Sequence, residues 1–193
     1  VLATLVSDEL AFPNLSMVGV DARAAAYQAV SYLIQQGHRK IAVLGGPATS
    51  HPSMMRRQGA QQAMEDAGIR FEDKLYGLSN YDFESAYHAM NGLLARRAEF
   101  TALFAMSDVI AFGAIRALVS AGLRVPEDVS VIGFDGITMS RYCVPVMTTI
   151  VQPSEQIALQ SIELLVRQIE HGTPAQTVTL QPELQQGESV RAL

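Results

Sequence analysis

Short apolar blocks alternate along this chain with longer stretches in which apolar residues recur every three or four positions. The blocks read as buried strands and the longer stretches as helices. Val18–Val20 is a short strand. Asp21 then caps a helix over 22–36, with Ala26, Val30, Leu33 and Ile34 on one face and Gly37 at its end. KIAVLGG (40–46) is a continuous apolar strand, followed by a helix over 53–67 that Gly68 closes. KLYGLS (74–79) is a weaker strand, and Asp82 opens a helix to Ala95. TALFAMSD (101–108) is the next strand, with Ser107 or Asp108 capping a helix to Ala121. A strand within VPEDVSVIGFD (125–135) follows, then TTIVQP (148–153). Ser154 caps a long helix with Ala158, Ile162, Leu165 and Ile169 in one row, and TVTLQPEL (177–184) is the last strand. Val1–Val6 reads as the middle of another strand, which makes the chain an expected fragment.

Strands built of unbroken apolar runs and alternating with helices predict a parallel sheet covered on both faces. Composition agrees: of 193 residues, 49% are hydrophobic and 17% charged, a globular balance with enough chain for a core without staples. Cys143 is the only cysteine and has no internal partner, which favours a reducing, cytoplasmic setting. No basic flank or long apolar run marks an export signal or a membrane span. The net charge is −5, and lysines and arginines cluster at most in pairs, so this chain is a poor candidate for gripping a phosphate backbone.

In doubly wound sheets, ligands bind beyond the carboxyl ends of the strands. Thr49, Ser50, His51 and Arg56 follow the strand at 40–46. Asn80, Tyr81 and Asp82 follow the one at 74–79. Ser107 and Asp108, then Asp135, then Gln152 follow the next three. Hydroxyl, guanidinium, carboxylate, amide and aromatic groups on one edge are the chemistry that a sugar needs. Each has a plainer reading. Ser107 and Asp82 serve equally as helix caps, Arg56 as a solvated helix residue, and Tyr81 as a turn aromatic. Asp135 is the hardest to dismiss, because a carboxylate at a buried strand end needs partners. No phosphate loop, dinucleotide fingerprint, serine-nucleophile elbow or zinc-protease motif is present, and the histidines lack metal spacing. No catalytic residue, cofactor or metal is therefore expected.

The run SDVIAFGAIRALVSAGLRVPEDVSVIGFDGI (107–137) closely resembles the signature of the lactose-repressor family of bacterial transcription regulators. AYQAVSYLIQQGHRKIAVLGGP (26–47), RRQGAQQAMEDAGI (56–69), YCVPVMTTIVQP (142–153) and LQPELQQGES (180–189) resemble it in the same order. The resemblance implies an α/β, type I periplasmic-binding-protein-like fold: two doubly wound parallel-sheet subdomains joined by three crossovers, with effector in the cleft. It implies an incomplete N-terminal subdomain at 1–38 and 149–174, and a C-terminal one at 39–148 and 175–193. The family's effector contacts fall on Arg56, Tyr81, Ser107, Asp135 and Gln152. Position 107 is often asparagine in the family, and position 136 often a second aspartate; Gly136 would leave room beside Asp135.

The implied function is that of a sugar-sensing regulator. It would act as a homodimer and read operator DNA only through an N-terminal domain with no counterpart here. The helix at 109–121, apolar nearly all round, would supply one face to the core and another to the dimer. A periplasmic sugar-binding protein of the same fold is the first alternative. An α/β enzyme using Asp108 and Asp135 on a sugar is the second.

Overall fold

A computed structural model describes residues 15–97 and 99–193; the strand expected at Val1–Val6 lies outside the described residues. The chain divides into two compact units. The larger runs from Ala22 to Val151 and resumes at Leu184–Leu193. The smaller comprises Gln152–Glu183 with the described residues up to Asp21.

Among the described residues, the larger unit is built on a six-stranded sheet. Its strands are β2 (Ile41–Gly45), β3 (Tyr76–Leu78), β4 (Ala102–Ala105), β5 (Ser130–Asp135), β6 (Thr148–Val151) and β8 (Glu183–Gln185). They lie in the order β3-β2-β4-β5-β6-β8, and the pairs from β3 through β6 are parallel. β2, β4 and all of β5 except Asp135 are buried, as a sheet covered on both faces requires. Helix α1 (Ala22–Gln35) packs on α2 (His51–Asp66), and α3 (Phe83–Ala95) packs on α4 (Asp108–Ser120). Small residues allow the close approach: a Cβ at Gly59 would lie 2.0 Å from the Arg23 carbonyl oxygen, and one at Gly113 2.6 Å from that of Phe83. Leu44, Leu103, Phe104, Ile132 and Phe134 form the centre of the core with almost no exposure.

The chain leaves β2 in one direction to make β3, then crosses back past β2 to make β4 on its other side. The strand order therefore reverses between β2 and β4, and such a switch point opens a crevice at the carboxyl ends.

The smaller unit pairs β1 (Met17–Val20) in parallel with β7 (Thr177–Leu180) and packs α5 (Ser154–His171) against β1. The Ser16 hydroxyl ties the three together, donating to Gln168 Oε1 at 2.9 Å and accepting from the Gln176 amide at 3.2 Å.

Several expectations differ from this architecture. The first boundary falls at 21/22 rather than 38/39, because α1 packs on α2; the last falls at 183/184 rather than 174/175, because β7 hydrogen-bonds to β1. The final strand is really two, β7 and β8, in different sheets. Ser154 is the first residue of α5, whose cap position is Pro153. The inward row of α5 holds Ser161 and Leu164, while Ile162 and Ile169 are exposed.

Candidate functional site

Arg56 sits in the second turn of α2, the helix that leaves the sheet at the switch point. Its side chain turns inward and is almost wholly buried. Nη1 donates to the carbonyl oxygen of Met106, just beyond β4, so the guanidinium spans the crevice between β2 and β4. Nη2 lies 3.5 Å from Asp135 Oδ1, and the guanidinium carbon stands 3.7 Å above the centre of the Phe134 ring. An arginine held over an aromatic face beside a carboxylate is a compensated buried charge. Burial pushes its pKa down, and the charge of Asp135 is the largest opposing influence. The reading of Arg56 as a solvated helix residue is therefore set aside.

Asp135 ends β5 with φ of 108°, and Gly136 follows with φ of 71°. Two successive residues in the left-handed half of conformational space turn the chain sharply, and for a non-glycine residue that geometry is uncommon. Arg56 has a side-chain exposure of 5%, Asp135 of 26%: the arginine forms the floor and the carboxylate the open edge.

Tyr81, after β3, also has positive φ, at 60°. Its ring covers the end of β2 so closely that a Cβ on Gly46 would lie 2.0 Å from it. Arg56 Nε and the Tyr81 hydroxyl are buried and find no hydrogen-bond partner among the described residues. Unpaired buried donors are rare and costly, so two of them at one switch point mark a place for polar ligand atoms.

Ser107 caps α4: its hydroxyl oxygen accepts from the Ile110 amide at 3.1 Å. That role leaves its own proton to donate. Asp82 likewise caps α3, accepting from the Ser85 amide at 2.8 Å. The structure thus gathers Arg56, Tyr81, Ser107 and Asp135 onto one edge of the larger unit. Gln152 belongs to the smaller unit, one position past β6, and is not counted with this group.

Asp108 is not at the open edge. It is fully buried beneath the turn after β5. Its Oδ2 accepts from the Ile137 amide at 2.8 Å, and its Oδ1 accepts from the Thr149 hydroxyl at 2.6 Å. Burial raises its pKa to about 6 against the pull of those hydrogen bonds. A carboxylate enclosed in this way is not available as a general acid or base for an exposed sugar. Gly133 makes the space for it, since a Cβ there would fall 2.2 Å from Asp108 Oδ1. An internal glycine in an otherwise fully buried strand was the sequence signal for this approach.

Gly136 also has a different reason from the one expected. A Cβ at 136 would come 2.7 Å from Val151 Cα, so the glycine serves the turn and the neighbouring strand instead of leaving room for ligand. Phe134 is a platform for Arg56 as well as a core residue.

A family model described as a periplasmic binding protein-like domain matches residues 30–190. The chain is 35% identical over 181 residues to the HTH-type transcriptional repressor PurR of Histophilus somni, covering 93% of this chain and 54% of that protein. It is 38% identical over 170 residues to the HTH-type transcriptional repressor CytR of Escherichia coli K12, covering 88% and 49%. The chain thus spans about half the length of these curated relatives. Among solved structures, a complex of the transcriptional regulator CelR with cellobiose superposes with a TM-score of 0.91 at 32% identity, covering 97% of this chain and 57% of that one.

Proposed function

The chain belongs to the periplasmic-binding-protein-like domains of lactose-repressor-family regulators, and on that premise we propose that its larger unit binds a small polyhydroxylated effector, a sugar or sugar derivative. One observation carries the reading. At the switch point of a parallel sheet, Arg56 is held on Phe134 and beside Asp135 while its Nε and the Tyr81 hydroxyl have no hydrogen-bond partner among the described residues. Vicinal hydroxyls supply both acceptors for the arginine and donors for the carboxylate. Because Asp135 compensates the arginine, the pair favours a neutral polyol over a free anion. The cellobiose held by CelR is of that chemical kind. Ser107 contributes a hydroxyl donor.

The effector acts as a regulator's ligand and is not turned over. In a longer protein carrying a DNA reader, effector occupancy changes operator affinity by a coupling of about 1–3 kcal/mol, and DNA changes effector affinity by the same factor. The regulator works as a dimer. Part of α4 supports this: Ile110 and Leu118 are buried in the unit, whereas Val119 is 51% exposed. Next to α4, Phe83 of α3 is 56% exposed and stacks on Phe112 at 6.1 Å.

Thermal-shift screening against mono- and disaccharides, phosphosugars and nucleosides tests the reading. A true ligand at a hundred times its Kd stabilises by about 2.7 kcal/mol. Arg56→Ala and Asp135→Ala should each weaken that ligand at least tenfold by calorimetry, and Asp135→Ala in the longer regulator should leave operator binding intact. Unchanged affinity in both variants would remove the site from this edge.

A further inference from the structure

Asp108 stands behind the ligand edge and touches none of its open surface, yet it holds that edge in shape. Its two oxygens engage two different segments: the Ile137 amide in the turn after β5, and the Thr149 hydroxyl on β6. Immediately before the first of these anchors stand Asp135 and Gly136, both at positive φ. From that turn the carboxylate of Asp135 reaches Arg56, with Oδ1 at 3.5 Å from Nη2. Gly133 leaves the carboxylate its space on the third side.

We propose that Asp108 is the positioning residue of the effector site, gripping the 135–137 turn from inside and thereby setting Asp135 against Arg56. The proposal rests on the effector reading above only for the word effector; the grip itself is a property of the free chain. It makes the turn responsive to protons. When Asp108 is ionised, both oxygens are strong acceptors and the Ile137 amide is held by a charge-assisted bond. When it is neutral, one oxygen carries a proton and only the other remains an acceptor of full capacity. The groups facing it are Asp135 from β5, Arg56 from α2 and Cys143 from the loop before β6. Neither Asp135 nor Cys143 offers a compensating positive charge, and Arg56 is shared with Asp135.

Nuclear magnetic resonance on the unliganded 193-residue chain tests this, following the Asp108 side-chain carboxyl carbon and the backbone amides from pH 4.5 to 8. The Ile137 amide should titrate with the same midpoint as the Asp108 carboxyl. Thr149→Val removes a hydrogen bond that favours the charged form. It should raise the Asp108 midpoint and move that of the Ile137 amide by the same amount. Asp108→Asn should abolish the Ile137 titration and speed exchange of its amide proton about tenfold, while the amides of Val30 and Leu33 in α1 keep their protection. An Ile137 amide that stays flat through the Asp108 midpoint overturns the proposal, even if both variants fail to fold. So does a Thr149→Val variant in which the two midpoints separate. Because no ligand is added, these results are independent of whether any sugar binds.

Discussion

Asp108 links the chemistry of one side chain to the stability of the whole. A carboxyl whose pKa rises from 3.8 to about 6 on folding binds its proton more tightly in the native state. Stability from this group is full below about pH 4, falls as pH rises, and is lost once pH passes the folded value near 6. The difference is of the order of 2–3 kcal/mol, at 1.36 kcal/mol per unit. Asparagine does not titrate, so the gap in Tm between wild type and Asp108→Asn should narrow by roughly 5 °C from pH 4 to pH 7. Thermal unfolding at both pH values measures it, and a gap that widens with pH would contradict the buried setting of this acid. At Gly133, alanine would place its Cβ against Asp108 Oδ1. Gly133→Ala should therefore cost about 1–3 kcal/mol in chemical denaturation, as overpacked cores do, although alanine is otherwise the better strand residue.

At the scale of elements, the layers are set by helix pairs that meet through small residues. Gly59 on α2 faces the Arg23 carbonyl of α1 with no room for a methyl group. Gly59→Ala should raise helix propensity by about 0.8–1 kcal/mol yet destabilise the unit on balance, because α1 must move away from α2. A stabilised variant by urea denaturation would show that the contact yields freely. The α3 terminus offers a contrasting case: Asp82 accepts from the Ser85 amide and hydroxyl, and that backbone hydrogen bond lowers its pKa. Asp82→Ala should cost about 1 kcal/mol through the lost cap. Such caps and glycine stops were visible in the sequence because they act within one turn of the chain. The inward face of α5 was not legible for the opposite reason: periodicity identifies an apolar row, while the partner element decides which row is inward.

At the scale of the molecule, the two units are built from interrupted stretches of chain, and their boundaries lie where backbone pairing and helix packing change partner. The proposed dimer belongs to this scale. Val119→Glu adds a charge to an exposed apolar position of α4 and leaves the buried row at Ile110 and Leu118 untouched. Sedimentation should show the variant shifted toward monomer, with unchanged circular dichroism; an unchanged assembly state would move the interface away from this face.

Much of this protein was fixed by the order of its residues. Apolar blocks and helical periods dictated a parallel α/β sheet, and the topology of such sheets directed attention to strand ends, where Arg56, Tyr81, Ser107 and Asp135 stand. Those signals are local, or follow from general rules of sheet winding. Only the tertiary structure decided that Arg56 lies on Phe134 and reaches across the switch point, that Asp108 is an internal anchor, and that Gly133 and Gly136 exist for neighbouring atoms 15 to 25 positions away in the chain. Distances between residues on different strands depend on register and on helix placement, and no pattern within a single segment encodes them.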